Sequence, residues 1–275
     1  MPTGAHIELI GDPHDVSVFG AVAANGVWEP DLGRLFSALV RPDWVCIDVG
    51  ANIGCHTLGL ASLAVNGKVV AFEASSQNFK FLQRNVAALP PPHAEVTCVP
   101  LALWDRACSL DLAGIRELAG CSFVAPNNDI QNHEAMIRGV VTNPAVASGT
   151  LNVSNESVRA VALDRWVAEH DLHRVDLIKI DIEGSERVAL EGATTMLKRF
   201  DPILITEFNP ACADTYREES PELYFDFLDR NFKCIQVIGG GGSLERPVTG
   251  WDDLRRRLEV GPGWLDLCCN RVRGA

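Results

Sequence analysis

Ile47-Asp48-Val49-Gly50-Ala51-Asn52-Ile53-Gly54 joins an apolar strand to a helix through a turn of small residues. Upstream, Val45-Cys46-Ile47 is an apolar strand run ending in an acid. Downstream, Cys55 to Val65 sets Leu58, Leu60, Ala61 and Ala64 along one buried helix face. In open α/β sheets ligands bind just past the carboxyl ends of the strands, which is where this turn falls. Gly50 and Gly54 lack the Cβ atoms that would hold a ligand away from the backbone N–H groups at the helix start. Asp48 contributes an acceptor instead of another donor, which suits a ligand with an ammonium or hydroxyl group.

Outward from the turn, apolar runs alternate with amphipathic stretches, as a parallel α/β sheet requires. Lys68 to Glu73 is expected as a strand and Gln77 to Leu89 as a helix stopped by Pro90-Pro91-Pro92. Glu95 to Val99, Val175 to Ile180, Ile203 to Glu207, Lys233 to Ile238 and Leu265 to Cys269 read as further strands. Helices are expected from Ser185 to Arg199 and from Pro221 to Asn231.

Two regions break the rhythm. Residues 1–42 hold short strand-like pieces (Ile7 to Ile10, Val16 to Val22) and a helix from Asp31 to Leu39, and read as a cover on a main domain of residues 43–275. Residues 111 to about 157 are polar and read as a long insertion with at most one helix, near His133 to Gly139. Gly239 to Gly242 reads as a plain hairpin turn or linker, since no helix start follows it.

The 275 residues are enough for a sizeable single core. With 36 acidic against 24 basic side chains and a net charge of −12, a nucleic-acid partner is not expected. No stretch approaches the roughly 20 apolar residues of a membrane helix, and a signal peptide is not expected from the first fifteen residues. The nine cysteines have no CxxC spacing, which fits reduced, buried thiols and a cytoplasmic setting. Nothing in the pattern sets an oligomeric state, a homodimer included.

Glu73 ends its strand 25 residues after Asp48, so the two acids are expected at one sheet edge on neighbouring strands. A carboxylate there can accept from both hydroxyls of an adenosine ribose. That arrangement also suits NAD, but a dinucleotide fingerprint wants G-x-G-x-x-G, whereas here Asn52 replaces the second glycine and no third is in phase. A ligand with an amino-acid head and no phosphate, S-adenosylmethionine, fits better. A third stretch, Asp176-Leu177-Ile178-Lys179-Ile180-Asp181-Ile182-Glu183-Gly184-Ser185-Glu186, crowds carboxylates where a strand passes into a helix. The helix dipole alone favours acids there by ~0.3–1 kcal/mol each, so Glu183 and Glu186 stand evenly between cap and function. Asp181, at the strand tip, is read as functional.

In order and spacing, these motifs resemble the FkbM family of S-adenosylmethionine-dependent methyltransferases. The resemblance runs from about residue 27 to 208. It includes Gly26-Val27-Trp28-Glu29-Pro30, Asp48 to Gly54, Val70-Ala71-Phe72-Glu73, Leu101-Ala102-Leu103, Val161-Ala162-Leu163-Asp164, Leu177 to Glu186 and Pro202 to Glu207. One departure is that Ala74-Ser75-Ser76 follows Glu73 where the family usually has Pro. The resemblance implies an α/β class I methyltransferase (Rossmann-like) fold, a three-layer sandwich around a seven-stranded mixed sheet with an antiparallel last strand. It implies O-methylation of a hydroxyl on a small molecule such as a sugar, glycolipid or polyketide. The cofactor residues it implies are Glu29, Asp48, Gly50, Asn52, Gly54, Glu73, Ala74, Ala102, Leu103 and Asp181.

A hydroxyl acceptor must lose a proton, so Asp181 is expected as general base or metal ligand with Glu183 in support. By analogy with Mg²⁺-dependent O-methyltransferases, Glu207 and Asn209 would join Asp181 if Mg²⁺ is present. An ordinary strand-end acid is the preferred reading of Glu207. His56 is read as a satisfied helix histidine and His170 with His173 as a solvated pair. Two other classes remain: an NAD-dependent oxidoreductase, disfavoured by the glycine pattern, and a cofactor-binding scaffold without catalysis.

Overall fold

A computed structural model describes residues 7–124, 152–212 and 220–271. In chain order the helices are α1 (Val18–Asn25), α2 (Pro30–Leu39), α3 (Cys55–Leu63), α4 (Ser76–Ala87), α5 (Leu163–Glu169), α6 (Glu186–Glu191), α7 (Thr194–Phe200), α8 (Pro221–Asn231) and α9 (Trp251–Val260). The strands are β1 (Val45–Val49), β2 (Lys68–Phe72), β3 (Glu95–Val99), β4 (Ala102–Leu103), β5 (Cys108–Ile115), β6 (Leu118–Val124), β7 (Val153–Val161), β8 (Leu177–Ile180), β9 (Ile203–Phe208), β10 (Cys234–Ile238), β11 (Leu244–Pro247) and β12 (Leu265–Asn270).

The main sheet has the order β11-β10-β12-β9-β8-β1-β2-β3. Strands β3, β2, β1, β8 and β9 run parallel, and β12 lies antiparallel between β9 and β10. This is the class I methyltransferase arrangement, with eight strands where seven are expected. The extra one, β11, is an edge strand that pairs antiparallel with β10 after the Gly240–Gly242 turn. The chain moves from β1 to β2 in one direction and from β8 to β9 in the other, so β1 and β8 flank the switch point at which such sheets bind ligands.

Side-chain alternation along the strands makes two cores. Ile47, Val49, Ile178 and Ile180 face Trp166, Leu197, Leu228 and Leu254 of α5, α7, α8 and α9. Cys46, Val69, Leu177 and Ile205 face Leu32, Leu35, Phe36, Leu58 and Leu60 of α2 and α3. Each fully buried aliphatic side chain is worth ~1.5–3 kcal/mol, so the sheet is gripped from both faces. The same parity sends Asp48 and Lys179, which are register partners, to the α3 face.

Several expected elements change. Val16 to Val22 is no strand: residues 18–25 are helical because the buried Asp15 carboxylate accepts the N–H groups of Ser17 (2.9 Å) and Phe19 (2.8 Å), satisfying donors that a helix start leaves open. Ile7 to Ile10 has no regular structure, yet Asn85 of α4 holds both the N–H and the C=O of Ile10 at 2.8 Å. The helix expected from Ser185 to Arg199 is two, α6 and α7. Asp164 caps the second from a distance, accepting from Thr195 (2.9 Å) and Met196 (2.7 Å).

The largest difference lies in the insertion. Its flanks form strands, and β4-β7-β5-β6 make a second, four-stranded sheet. β5 pairs antiparallel with β7 from Cys108↔Ala160 to Ile115↔Val153. Polar residues Ser109, Asp111, Ser157 and Arg159 occupy its exposed face. The helix expected at His133 to Gly139 lies outside the described residues.

Among the described residues no helix is long and apolar enough to cross a membrane. All the described cysteine thiols are free.

Candidate functional site

The glycine turn works through close approach. Gly50 has φ +77°, and a Cβ there would lie 2.0 Å from the carbonyl oxygen of Asp181 at the tip of β8. Gly50 and Ala51 both donate to Phe72 O, at 3.0 and 2.9 Å, which ties the turn to β2. Gly54 has φ +99°, and its Cβ would press on Leu82 of α4 at 2.9 Å. Gly50→Ala is expected to destabilise the protein by at least ~1–3 kcal/mol through strain and overpacking. An unchanged urea midpoint would refute the contact.

Beyond the turn lies a cavity of about 610 Å³, counted to its open mouth. Gly50, Asn52, Glu73 and Ala74 line one side of it, Leu101, Ala102 and Leu103 form an apolar wall, and Asp181, Ile182 and Glu183 close the β8 end. Glu73 is buried at the tip of β2. Its Oε2 accepts the Asn52 N–H at 2.7 Å and its Oε1 the Ser75 N–H at 2.8 Å. Loss of water pushes its carboxyl up to about 7 despite these bonds. Each oxygen keeps a free lone pair for a ligand hydroxyl.

Asp48 does not reach the cavity. Its side chain is fully buried beneath α3, where Oδ2 accepts from Thr57 Oγ1 at 2.6 Å. Lys179 lies 3.8 Å from Asp48 Oδ1 and 3.4 Å from Asp181 Oδ2, and donates to Gly50 O at 3.5 Å. Burial alone would drive this ammonium down; the carboxylates of Asp181, Asp48 and Glu29 more than reverse that and keep it charged. Lys179 therefore ties the tips of β1 and β8 together under the cavity floor.

At the β8 end, Glu183 takes a left-handed backbone (φ +53°) and accepts from the Cys212 thiol at 3.2 Å. Burial first, then the Asp181 charge, pushes its carboxyl up to about 8. Glu186 points inward to its own turn: Oε1 accepts from Ile182 N (2.8 Å) and Gly184 N (3.3 Å). The cap reading thus accounts for Glu186, while Glu183 faces the cavity beside Asp181. Glu29, at the start of α2, accepts from or donates to His56 Nε2 at 2.6 Å according to the protonation of the pair, so His56 is partnered, as a helix histidine is expected to be. Neither residue lines the cavity.

A family model described as Methyltransferase FkbM domain matches residues 48–229. The chain belongs to the FkbM methyltransferase family. The family replaces the NAD-dependent oxidoreductase alternative. The chain is 29% identical over 206 residues to AMB antimetabolite synthetase AmbE of Pseudomonas aeruginosa, covering 70% of this chain and 9% of that protein. It is 26% identical over 180 residues to Hexuronic acid methyltransferase AglP of Haloferax volcanii, covering 64% of this chain and 61% of the relative. The chain thus spans less than two thirds of either relative. A solved structure of methyltransferase FkbM from Methylobacillus flagellatus KT overlays with TM-score 0.42 and 18% identity, covering 74% of this chain and 43% of that one.

Nothing in the described residues supports the Mg²⁺ reading of Asp181, Glu207 and Asn209. Among the described residues no group of three or more His, Cys, Asp or Glu side chains is placed to hold a metal ion. Asn209 Oδ1 accepts the Cys212 backbone N–H at 3.4 Å, and burial with the charges of Asp181 and Glu183 pushes Glu207 well above the usual carboxylate range. Glu207 and Asp266 are cross-strand partners beside the site. Sequence reasoning missed Lys179 as a structural cation, although a lysine inside Leu177-Ile178-Lys179-Ile180 is itself a signal of a buried partner. It also missed Asn78, Ala119, Gly120 and Ser122, which line the cavity from α4 and β6.

Proposed function

We propose that this FkbM methyltransferase is an S-adenosylmethionine-dependent O-methyltransferase acting on a hydroxyl of a small polyhydroxyl acceptor, a sugar, glycolipid or polyketide-type molecule. The observation that carries the reading is the buried Glu73 carboxylate at one side of a partly apolar cavity whose other end holds Asp181 and Glu183. The sugar in the printed name of the AglP relative supports the acceptor class.

The residues present suit that cofactor. Gly50 lines the cavity and, lacking a Cβ, lets the turn close against Asp181 O at its edge. Glu73 has lone pairs free for ribose hydroxyls, and Ala74, Leu101, Ala102 and Leu103 offer an apolar wall for a purine. S-Adenosylmethionine supplies an electrophilic methyl carbon on a sulfonium. The chain's task is then to hold the acceptor oxygen in line and take its proton. Positioning of this kind can be worth roughly 7–11 kcal/mol. Glu183 is the proton acceptor of this reading, because a base titrating near neutrality keeps both availability and driving force. Asp181 holds the neighbouring negative charge that raises Glu183 and is itself anchored by Lys179.

Saturating S-adenosylhomocysteine, at about 100 times its dissociation constant, is expected to stabilise the protein by ~2.7 kcal/mol, and NAD is expected to have no effect. Thermal unfolding with each ligand reads this directly. Incubation with methyl-labelled cofactor and a panel of neutral sugars then tests the transfer. Labelled methyl on nitrogen or carbon instead of an ether oxygen would refute the O-methyl reading, and stabilisation by NAD would refute the cofactor. Binding without turnover on any hydroxyl acceptor would point to the scaffold.

A further inference from the structure

Asn52 stands where a dinucleotide fingerprint has glycine, yet its φ of +52° is one that glycine adopts with least strain. Its side chain gives a reason for the asparagine. Oδ1 accepts the Ile53 N–H at 2.7 Å, and Nδ2 donates to Ala119 O at 2.9 Å. A second amide, Asn78 Nδ2 in the first turn of α4, donates to the same oxygen at 3.1 Å. The N–H of that peptide, on Gly120, donates to Ser17 Oγ at 3.2 Å, and the Ala119 N–H to Asp15 Oδ1 at 3.1 Å. Asp15 also accepts from Ser17 Oγ at 2.6 Å. The Ala119–Gly120 peptide of the second sheet is thus held from below by the cofactor turn and α4 and from outside by the N-terminal segment, which also joins Val16 N–H to Glu117 O (3.0 Å) and Asp12 to Arg116 (2.8 Å).

What this fastening holds is the far wall of the cavity. Leu112, Ala119, Gly120, Ser122 and Val124, all from β5 and β6, line it together with Glu73 and Ala74. We propose that the β5–β6 hairpin is a cofactor-binding wall of this enzyme and that Asn52 and Asn78 are its latch, setting how fast the adenosine end of the cofactor leaves. The proposal rests on the S-adenosylmethionine reading above. A ligand seated against Glu73 also borders the glycine turn and β6, so freeing the Ala119 carbonyl from the two amides loosens one wall of its space. Asn52 and Asn78 act through the backbone they hold and are positioning residues. Ser122 presents the nearest side-chain hydroxyl of this wall to the ligand space.

The test measures S-adenosylhomocysteine binding and dissociation by stopped-flow displacement on the full chain, with unfolding of the ligand-free protein followed in parallel. Asn52→Gly keeps the glycine-like backbone and removes one amide; Asn78→Ala removes the other. Each is expected to speed dissociation roughly two- to tenfold, the range of a single lost hydrogen bond. Ligand-free stability should fall far less than it does for Gly50→Ala. Ser122→Phe places a ring in the cavity and is expected to abolish binding in a folded protein. It tests the wall apart from the amides, and Asn78→Ser, a smaller change at the second amide, serves if Asn78→Ala does not fold. If the wild type binds and the folded amide variants release at its rate, the latch is overturned and the cofactor reading stands; if folded Ser122→Phe binds like wild type, the wall is overturned. If the wild type does not bind S-adenosylhomocysteine, both fall together.

Discussion

Glu183→Gln is expected to lower turnover by roughly 10²–10⁴-fold, the usual range for loss of a general base, with S-adenosylhomocysteine affinity little changed. Glutamine matches the carboxylate in size and can keep the Cys212 contact, so the loss is chemical and not structural. The pH profile carries the sharper signature. With burial and the Asp181 charge holding Glu183 up to about 8, wild-type turnover should climb as pH rises through that value, because only the ionised carboxylate can take a proton. The residual activity of the glutamine variant should lack that rise. Stability runs the other way. A carboxyl whose folded-state pKa is raised favours the protonated fold, so its contribution is fully present below the ordinary value of 4.5 and is lost as pH rises through about 8. Ligand-free wild-type protein should therefore lose more stability than Glu183→Gln between those limits. Equal turnover in the two proteins at pH 7 would remove Glu183 from the mechanism.

Lys179→Met is expected to cost ~3–5 kcal/mol of folding stability, the range for breaking a buried ion pair by removal of one partner. The reason is what remains. Asp48 is fully buried with one hydrogen bond, from Thr57, and its Oδ1 has no hydrogen-bond partner, so without the ammonium it is a lone charge in the core. Asp181 would also lose the cation that anchors it at the cavity floor. Asp48→Asn in the Lys179→Met background removes the stranded charge and should recover part of the loss. Urea unfolding of wild type, single and double variants measures both effects. A double variant no more stable than Lys179→Met would show that the pair with Asp48 is not what the lysine serves.

Much of the architecture was legible because burial on both faces leaves an unambiguous mark. Strands such as Val45–Val49 and Leu177–Ile180 are continuous apolar runs, and the helices between them have one apolar face. The misreadings have physical origins. Val16 and Val18 give the expected strand Val16 to Val22 its β-branched, strand-like spacing, but the carboxylate of Asp15, just upstream, pairs with the donors of the first helical turn. Cys108–Ile115 and Val153–Val161 look like loop because their outward faces are polar, and they pair across a gap that local patterning does not bridge. The edge strand Leu244–Pro247 is short and mostly exposed, and it leaves little periodic signal.

The same division runs through the site. The glycine turn, the Glu73 carboxylate and the crowding of acids from Asp181 to Glu186 were readable, since each reflects a local demand: a positive-φ turn, an acceptor at a strand tip, charge at a helix start. Which of these acids face the cavity was not, because strand parity and turn geometry decide it. Parity buries Asp48 against Thr57 and Lys179, and a left-handed residue swings Glu183 toward the space that Glu186 turns away from.

By itself, then, the sequence determined the sheet class and the kind of ligand space at its edge, because hydrophobic period and glycine spacing act over a few residues. Only the tertiary structure decided what surrounds that space. Ala119 meets Asn52 across 67 residues and Asn78 across 41, and such a contact depends on how two sheets pack, not on any pattern along the chain.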